Sequence, residues 1–524
     1  MYYFDPNHFF ILVIGLVLLF CSIVSFEFFK NKTLSLFILF IAGLFLCSFM
    51  ALLDPFLNTW DEQFHALVAK NLLLHPLMPT LYEHPVIPYD FTQWIGNHVW
   101  LHKEPLFLWQ IMMSLKLFGI NTFAVRIPSV LMMSIVPLFI YRIGKISMSI
   151  RIGYYGAILF ASSFFVHELC TGFPPSDHND IAFLFYITAS IWAWVEYERS
   201  KKTYWLVLIG AFSGCAILVK WLTGLLVFSG WGISILADKE KRRSLQSYKA
   251  ITISIIVCCL VFVPWQIYIS HAFSNESSHE FSLNSKHFFT VVEDHGGDTG
   301  YYFDNLRKVY GEGQLMPFII LLSLFFFYKS LPERKFKIAF FSYIIIVYVF
   351  FSFAATKMIA FCFIVSPFIF LSLASLIEKV ISFLKTKLFK KEMLQCTFAI
   401  LLLFLVAWGN LNLHRIAYKH TMYIRPNDND KRISKVYDAA FIKSLKNYLP
   451  SDDYVIFNFK PERNISAMFF TPFTVYPGAL TYENYTDLKS KKISMAVIDN
   501  GKLPGFIKND KAVIKIKAPD KTWE

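Results

Sequence analysis

"LSLFILFIAGLFLCSFMALLDPFLNTWDEQFHALVAKNLL", residues 34–73, joins an unbroken apolar run to two adjacent acids, Asp61 and Glu62. Crossing the hydrocarbon core of a bilayer takes roughly 20 apolar residues, and this run supplies them before the chain turns polar. The rest of the chain repeats the pattern. Of 524 residues 56% are hydrophobic and 17% charged, Phe alone occurs 57 times, and the mean hydropathy is +0.48. A soluble fold of this length cannot hide that much apolar surface, so the composition reads as a polytopic membrane protein.

Apolar windows fall near 8–26, 33–53, 123–143, 152–170, 181–198, 204–220, 221–237, 250–269, 315–331, 338–354, 358–377 and 394–411, about twelve spans. Alternate connections carry the basic residues: Lys30 and Lys32; Arg142, Lys145 and Arg151; Arg199 to Lys202; Lys239 to Arg243; Lys329 to Lys337; Lys385 to Lys391. The positive-inside rule places all of these in the cytoplasm. The opposite side then receives the N-terminus, the long loop 54–122, the short loop 171–180, the loop 270–314 and everything after about 412. "EPLFLWQIMMSLKLFG" (104–119) is too short for a span and reads as an interfacial or re-entrant helix.

The net charge of +13 would suggest nucleic acid in a soluble protein; here the expected anionic partner is phosphate-bearing lipid. The eight cysteines lie in or beside apolar windows without a metal or disulfide spacing. "MYYFDPNH" lacks a basic region, so the first apolar run is expected to be a retained span. From about 430 the composition turns soluble: "RISKVYDAAFIKSLKNYL" reads as a helix, and "DYVIFNF", "KISMAVIDN" and "AVIKIK" read as strands. The expected organisation is a transmembrane region over 1–411 and a small extracytoplasmic α/β domain over 412–524.

Asp61 opens a short predicted helix that stops before Pro76, and His65 shares its face one turn on. "PSDHND" (175–180) puts Asp177, His178 and Asp180 in a very short outer loop. Each acid alone is equally well a helix cap; two clusters at one membrane boundary point to a site. Four cations stand at the outer ends of apolar elements, where lysine and arginine should be scarce: Lys103, Arg126, Lys220 and Lys357. Singly each reads as snorkelling to headgroups; as a set they suit a phosphate or pyrophosphate. In "VVEDHGGDTGYYFDNL", Glu293, Asp294 and His295 beside two glycines offer ligands for a divalent cation, as His65 does; the spacing is not a strong metal signature, and a plain polar turn is the default reading.

These pieces resemble the GT-C glycosyltransferases that use polyprenyl-phosphate sugars, in particular the protein O-mannosyltransferase-like group with the ArnT-type lipid A aminoarabinose transferases. The resemblance rests on "WDEQFHALVAKNLL", "HKEPLFLWQIMMSLKLFGINTFAVRIPSVL", "SDHNDIAFLF", "LVKWLTGLL" and "ATKMIAFCFIVSPF". Val219-Lys220-Trp221 stands where the family has Thr-Lys-Gly, and Lys103-Glu104-Pro105 where it has Lys-Pro-Pro. The resemblance implies sugar transfer from undecaprenyl phosphate to lipid A, a protein or another envelope acceptor at the outer face of the bacterial inner membrane. It implies catalytic work for Asp61, Glu62 and Asp180, with Lys103, Arg126, Lys220 and Lys357 on the donor phosphate. A transporter or flippase would place its charges mid-span and show paired halves, and neither feature is present.

Overall fold

The computed structural model describes residues 4–173, 177–292, 294–420, 426–519 and 523. Apolar runs fold as helices because lipid offers no partner for a bare backbone. The chain opens with α1 (Pro6–Glu27) and α2 (Lys32–Leu53), then two short helices, α3 (Asp61–Asn71) and α4 (Pro105–Phe118). Next come α5 (Thr122–Ser147), α6 (Ile150–Ala161), α7 (Phe164–Cys170), α8 (His178–Ser200) and α9 (Tyr204–Lys220). A 3-10 segment at Trp221–Leu225 precedes α10 (Leu226–Leu236), α11 (Leu245–Ala272), α12 (Ser274–Phe289), α13 (Tyr301–Tyr310), α14 (Met316–Ser330) and α15 (Arg334–Phe353). A second one, Ile359–Val365, leads into α16 (Ser366–Leu388), α17 (Glu392–Leu411) and α18 (Leu413–His420). The remainder alternates: α19 (Pro426–Ser444), β1 (Val455–Phe457), α20 (Arg463–Phe470), β2 (Thr474–Val475), α21 (Tyr482–Ser490), β3 (Met495–Asp499), α22 (Gly505–Lys508) and β4 (Ile514–Lys517).

Every apolar window coincides with helix, but among the described residues seven stretches are long and apolar enough to cross a membrane. Others are shorter than expected. The window 152–170 is two helices, α6 and α7, broken at the buried Ser162 and Ser163, and 221–237 begins as 3-10 helix. The predicted short helix at 104–119 is α4, opened by Pro105 and closed by Gly119 at φ 79°.

The chain divides into two compact units, Met1–Leu53 with Ser129–Lys419, and Asp54–Pro128 with His420–Glu524. In the first, α1 pairs with α2, α9 packs on both α8 and α11, α10 packs on α15, and α16 packs on α6 and α14. Gly210 and Gly214, four apart on α9, allow α11 close: a Cβ on Gly214 would lie 2.7 Å from Val261 Cβ. The most apolar window of Ile359–Leu388 is 83% buried, whereas that of α11 is only 22% buried. Bare aliphatic side chains such as Leu260, 69% exposed, are what a lipid-facing helix presents.

In the second unit the strands form a four-stranded, all-parallel sheet in the order β2-β1-β3-β4. The two central strands, β1 and β3, read as nearly continuous apolar runs, as buried parallel strands do, whereas the edge strand β4 alternates Ile and Lys. The loop after α2 is sewn to this α/β segment. Lys70 Nζ donates to the carbonyls of Met468 (2.5 Å) and Thr471 (2.7 Å), Ser466 Oγ donates to Gln63 Oε1 (3.0 Å), and Tyr82 stacks on Tyr476 at 4.9 Å.

Candidate active site

The two adjacent acids part company at once. Trp60, the residue before them, holds φ 67° and ψ −125°, a strained backbone for a bulky side chain. It starts α3 with no side-chain cap, so Asp61 stands at the first helical position and is not the cap. Its carboxylate is 30% exposed and pairs with Lys103 Nζ, 19% exposed, at 3.2 Å. Both groups are partly exposed, so both can be reached by a ligand.

Glu62 turns inward. It is 1% exposed, and Arg126, fully buried, grips it through Nε (2.7 Å) and a second nitrogen (3.1 Å). The same guanidinium donates to the carbonyls of Asp54 (2.7 Å) and Phe56 (2.8 Å), and Glu62 Oε2 accepts from Asn58 N–H at 2.5 Å. Arg126 therefore ties the segment 54–62 into one turn, with its donors spent on protein groups. Asp54 beneath accepts from His420 Nδ1 (2.9 Å) and Arg432 Nε (3.2 Å). Burial alone would raise the Asp54 carboxyl; the charges of His420, Arg432 and Arg126 hold it well below the usual carboxylate range.

His65 is fully buried, edge-on to Trp100 and Phe107 at ring distances of 6.1 and 6.0 Å. A ring nitrogen of His65 and a carboxylate oxygen of Asp61 lie within 4.8 Å of each other, so the pair offers two ligand atoms to a cation. In the 75–103 segment, Trp94 packs on Phe64 (4.8 Å) and stacks on His102 (4.7 Å). These rings wall the start of α3 next to Lys103.

The first unit holds the other candidates. Asp177 caps α8 by accepting from Asn179 N–H at 2.9 Å, which leaves Asp180, in the first turn, for a different task. Asp180 pairs with Lys220, the last residue of α9, whose ammonium also lies 4.9 Å from the Phe361 ring centre. His178 Nδ1 meets Ser129 Oγ at 3.0 Å, and Asn179 Nδ2 donates to the Val219 carbonyl at 3.0 Å. Lys357 is 5% exposed and donates to the Ala354 carbonyl at 2.5 Å; among the described residues no carboxylate lies within ion-pair distance of it. Lys220 and Lys357 each stand just before a 3-10 segment, where the helical ladder is interrupted.

Glu293 lies outside the described residues. Asp294 is exposed at φ 59°, and His295 is half-buried with its carbonyl accepting from Lys357 N–H at 2.8 Å. Among the described residues these two join no group of three ligating side chains. Sequence reading missed Asp54, His420 and Arg432, since no local pattern links positions 366 residues apart. It also missed Glu168 of α7, buried and held bidentately by Arg415 (2.9 and 3.0 Å) and by Lys419 at 2.8 Å.

Among curated proteins none matches in sequence. The family model for dolichyl-phosphate-mannose-protein mannosyltransferases matches residues 102–268. Among solved structures, ArnT from Cupriavidus metallidurans bound to undecaprenyl phosphate is similar with a TM-score of 0.60 at 12% identity, over 92% of this chain and 93% of that one. The apo form of the same ArnT gives 0.57 at 12% identity, over 87% and 88%. The archaeal oligosaccharyltransferase AglB from Archaeoglobus fulgidus, in complex with an inhibitory peptide and a dolichol-phosphate, gives 0.56 at 12% identity, over 86% and 65%. The chain has the GT-C fold of membrane glycosyltransferases, of the ArnT and protein O-mannosyltransferase type.

Proposed function

We propose that this protein is an integral-membrane glycosyltransferase of the bacterial inner membrane. It moves a sugar from an undecaprenyl-phosphate-linked donor to lipid A or another envelope molecule at the outer face. The observation that carries this reading is the partly exposed Asp61–Lys103 pair beside the buried Glu62–Arg126 pair. The similarity to ArnT bound to undecaprenyl phosphate supports the donor class.

Sugar transfer from a lipid phosphate needs three things at one carbon. The leaving phosphate must be stabilised as its charge grows, the sugar carbon must tolerate positive character, and the acceptor oxygen must be ready to attack. Lys103 supplies a cation that can exchange Asp61 for the departing phosphate. In the first unit Lys220 and Lys357 are the cations that the sequence leads one to expect at a phosphate: Lys220 is held by Asp180, and among the described residues no carboxylate lies within ion-pair distance of Lys357. Asp61, freed of Lys103, orients the sugar or stabilises the oxocarbenium-like centre. Where the acceptor is a hydroxyl it also removes the proton, an effect of about 10²–10⁴-fold in rate. In this assignment Glu62 and Arg126 are positioning residues, and they hold the turn from which Asp61 projects. A divalent cation held by Asp61 and His65 would supply charge stabilisation at the same place.

A second reading, transfer to Ser or Thr of a protein, draws on the family-model match over residues 102–268. It uses the same residues, with Asp61 as base. The test is a reconstituted assay with radiolabelled undecaprenyl-phosphate sugar and separated envelope fractions as acceptors. Label should move to one fraction with the wild type and to none with Asp61→Asn. Turnover by the Asn variant at the wild-type rate would refute the assignment, and the fraction that takes the label identifies the acceptor class.

A further inference from the structure

One residue beside the Asp61–Lys103 pair sits against its own backbone preference. Trp60 holds φ 67° and ψ −125°, a conformation that glycine adopts freely and a residue with a Cβ does not. The turn is imposed from outside: Arg126 grips Glu62 and the carbonyls of Asp54 and Phe56 on either side of Trp60. Strain of this kind persists where the surroundings over-determine it, and it gathers at sites of function. Glycine would fill the position at no steric cost, so what tryptophan adds there is its ring.

That ring is not buried in the core. Trp60 is 47% exposed, and its ring centre lies 6.3 Å from that of Trp94, with the two planes at 48°. Trp94 is held in turn by Phe64 of α3 at 4.8 Å and by the stacked His102 at 4.7 Å. The aromatic pair therefore brackets the ion pair along the chain. Trp60 precedes Asp61, and His102, on which Trp94 stacks, precedes Lys103. All of these residues belong to the same compact unit.

An open indole face next to a carboxylate and an ammonium suits one ligand chemistry. A sugar ring carries hydroxyls around its edge and a patch of C–H bonds on a face, each carbon made electron-poor by its oxygen. Such a face meets the negative π face of an indole, and the hydroxyls remain for charge-assisted hydrogen bonds to Asp61 and Lys103. Sites for small ligands have this composition, aromatic walls with a few placed polar groups. An acyl chain would have no use for the two charges.

We propose that Trp60, supported by Trp94, is the platform on which a sugar ring stacks while Asp61 and Lys103 act on it. This rests on the reading of the chain as a glycosyltransferase and adds to it the residue that sets affinity for the sugar part of the substrate. The ring belongs either to the lipid-linked donor or to a sugar-bearing acceptor such as lipid A, and both offer the same C–H face.

The experiment measures binding without turnover, on the full chain in nanodiscs. One arm compares bare undecaprenyl phosphate with undecaprenyl phosphate carrying glucose, mannose or arabinose; the other compares lipid A with cardiolipin, which has two phosphates and no sugar. The wild type should prefer a sugar-bearing lipid by about tenfold in at least one arm, the gain expected from covering one indole face. Trp60→Gly should erase that preference while the thermal midpoint holds or rises, because the strain leaves with the side chain. Trp60→Phe should keep most of the preference, and the arm that loses it in the Gly variant assigns the ring to donor or acceptor. Should the Gly variant not fold, Trp60→Asn, which tolerates positive φ, takes its place. No preference in either arm, a preference untouched by the loss of the ring, or an equal loss for lipids with and without sugar overturns the platform; the last outcome makes Trp60 a headgroup anchor. The transferase reading is decided separately, by label transfer in the wild type and in Asp61→Asn.

Discussion

Asp61 and Glu62 are neighbours in sequence and opposites in structure. Glu62 meets a fully buried arginine that also grips two backbone carbonyls, while Asp61 meets a lysine that solvent can reach. A buried, fully hydrogen-bonded ion pair contributes to the definition of the fold and is difficult to open. A half-exposed pair costs little to separate, and each partner is then available to a ligand. The difference between one residue and the next is the difference between a scaffold and a reacting group, and it is set by the helix geometry that sends consecutive side chains about 100° apart.

That contrast breaks most visibly by mutation. Asp61→Asn should lower sugar transfer by about 10²–10⁴-fold with an unchanged thermal midpoint in detergent. Glu62→Gln or Arg126→Met should do the reverse, since removing one partner of a buried pair costs about 3–5 kcal/mol. The midpoint should fall sharply, and the fraction that remains folded should retain transfer. Loss of transfer in a fully folded Glu62→Gln protein would move Glu62 from scaffold to catalysis.

Lys103 sharpens the same comparison with a smaller effect. Lys103→Gln should reduce kcat by about 10²–10³ if its ammonium meets the leaving phosphate, with KM for the acceptor little changed. Lys103→Arg should keep most of the rate. If Gln and Arg behave alike, Lys103 only partners Asp61 in the resting enzyme.

How much of this was legible in the sequence follows from the range of each interaction. Hydropathy is local, so every apolar window met a helix; the break at Ser162–Ser163 escaped because two small hydroxyls leave the apolar average almost unchanged. Three strands of the C-terminal sheet were read from their apolar runs, but β2 is two residues long and the order β2-β1-β3-β4 has no local signature. Asp61, Lys103, Asp180 and Lys220 stand out in the sequence as charges at the outer ends of apolar elements, and the structure joins them as two pairs, each within its own unit. Arg126 was expected at a phosphate because it stands at the outer end of an apolar run. Charge alone does not reveal that Glu62 and two carbonyls already occupy it.

The smallest effect tests the junction between the loop and the sheet, through Lys70. Its ammonium caps the carboxyl end of α20 by donating to Met468 and Thr471, a placement the helix dipole favours. Burial nevertheless pushes its pKa down to about 8, with Lys446 adding to the depression and Glu83 opposing it. Between that value and the ordinary lysine range the unfolded chain binds the proton and the folded chain does not, so stability must rise with pH across the interval. Below about 8 both states are charged, and the slope from this group vanishes. The thermal midpoint of the wild type measured from pH 8 to 10 should therefore climb relative to that of Lys70→Met, and the two should run parallel below pH 8. Parallel curves throughout would mean that Lys70 keeps its proton in the folded state, sustained by the two carbonyls, and that the loop is held to α20 by a full ammonium at every pH in the range.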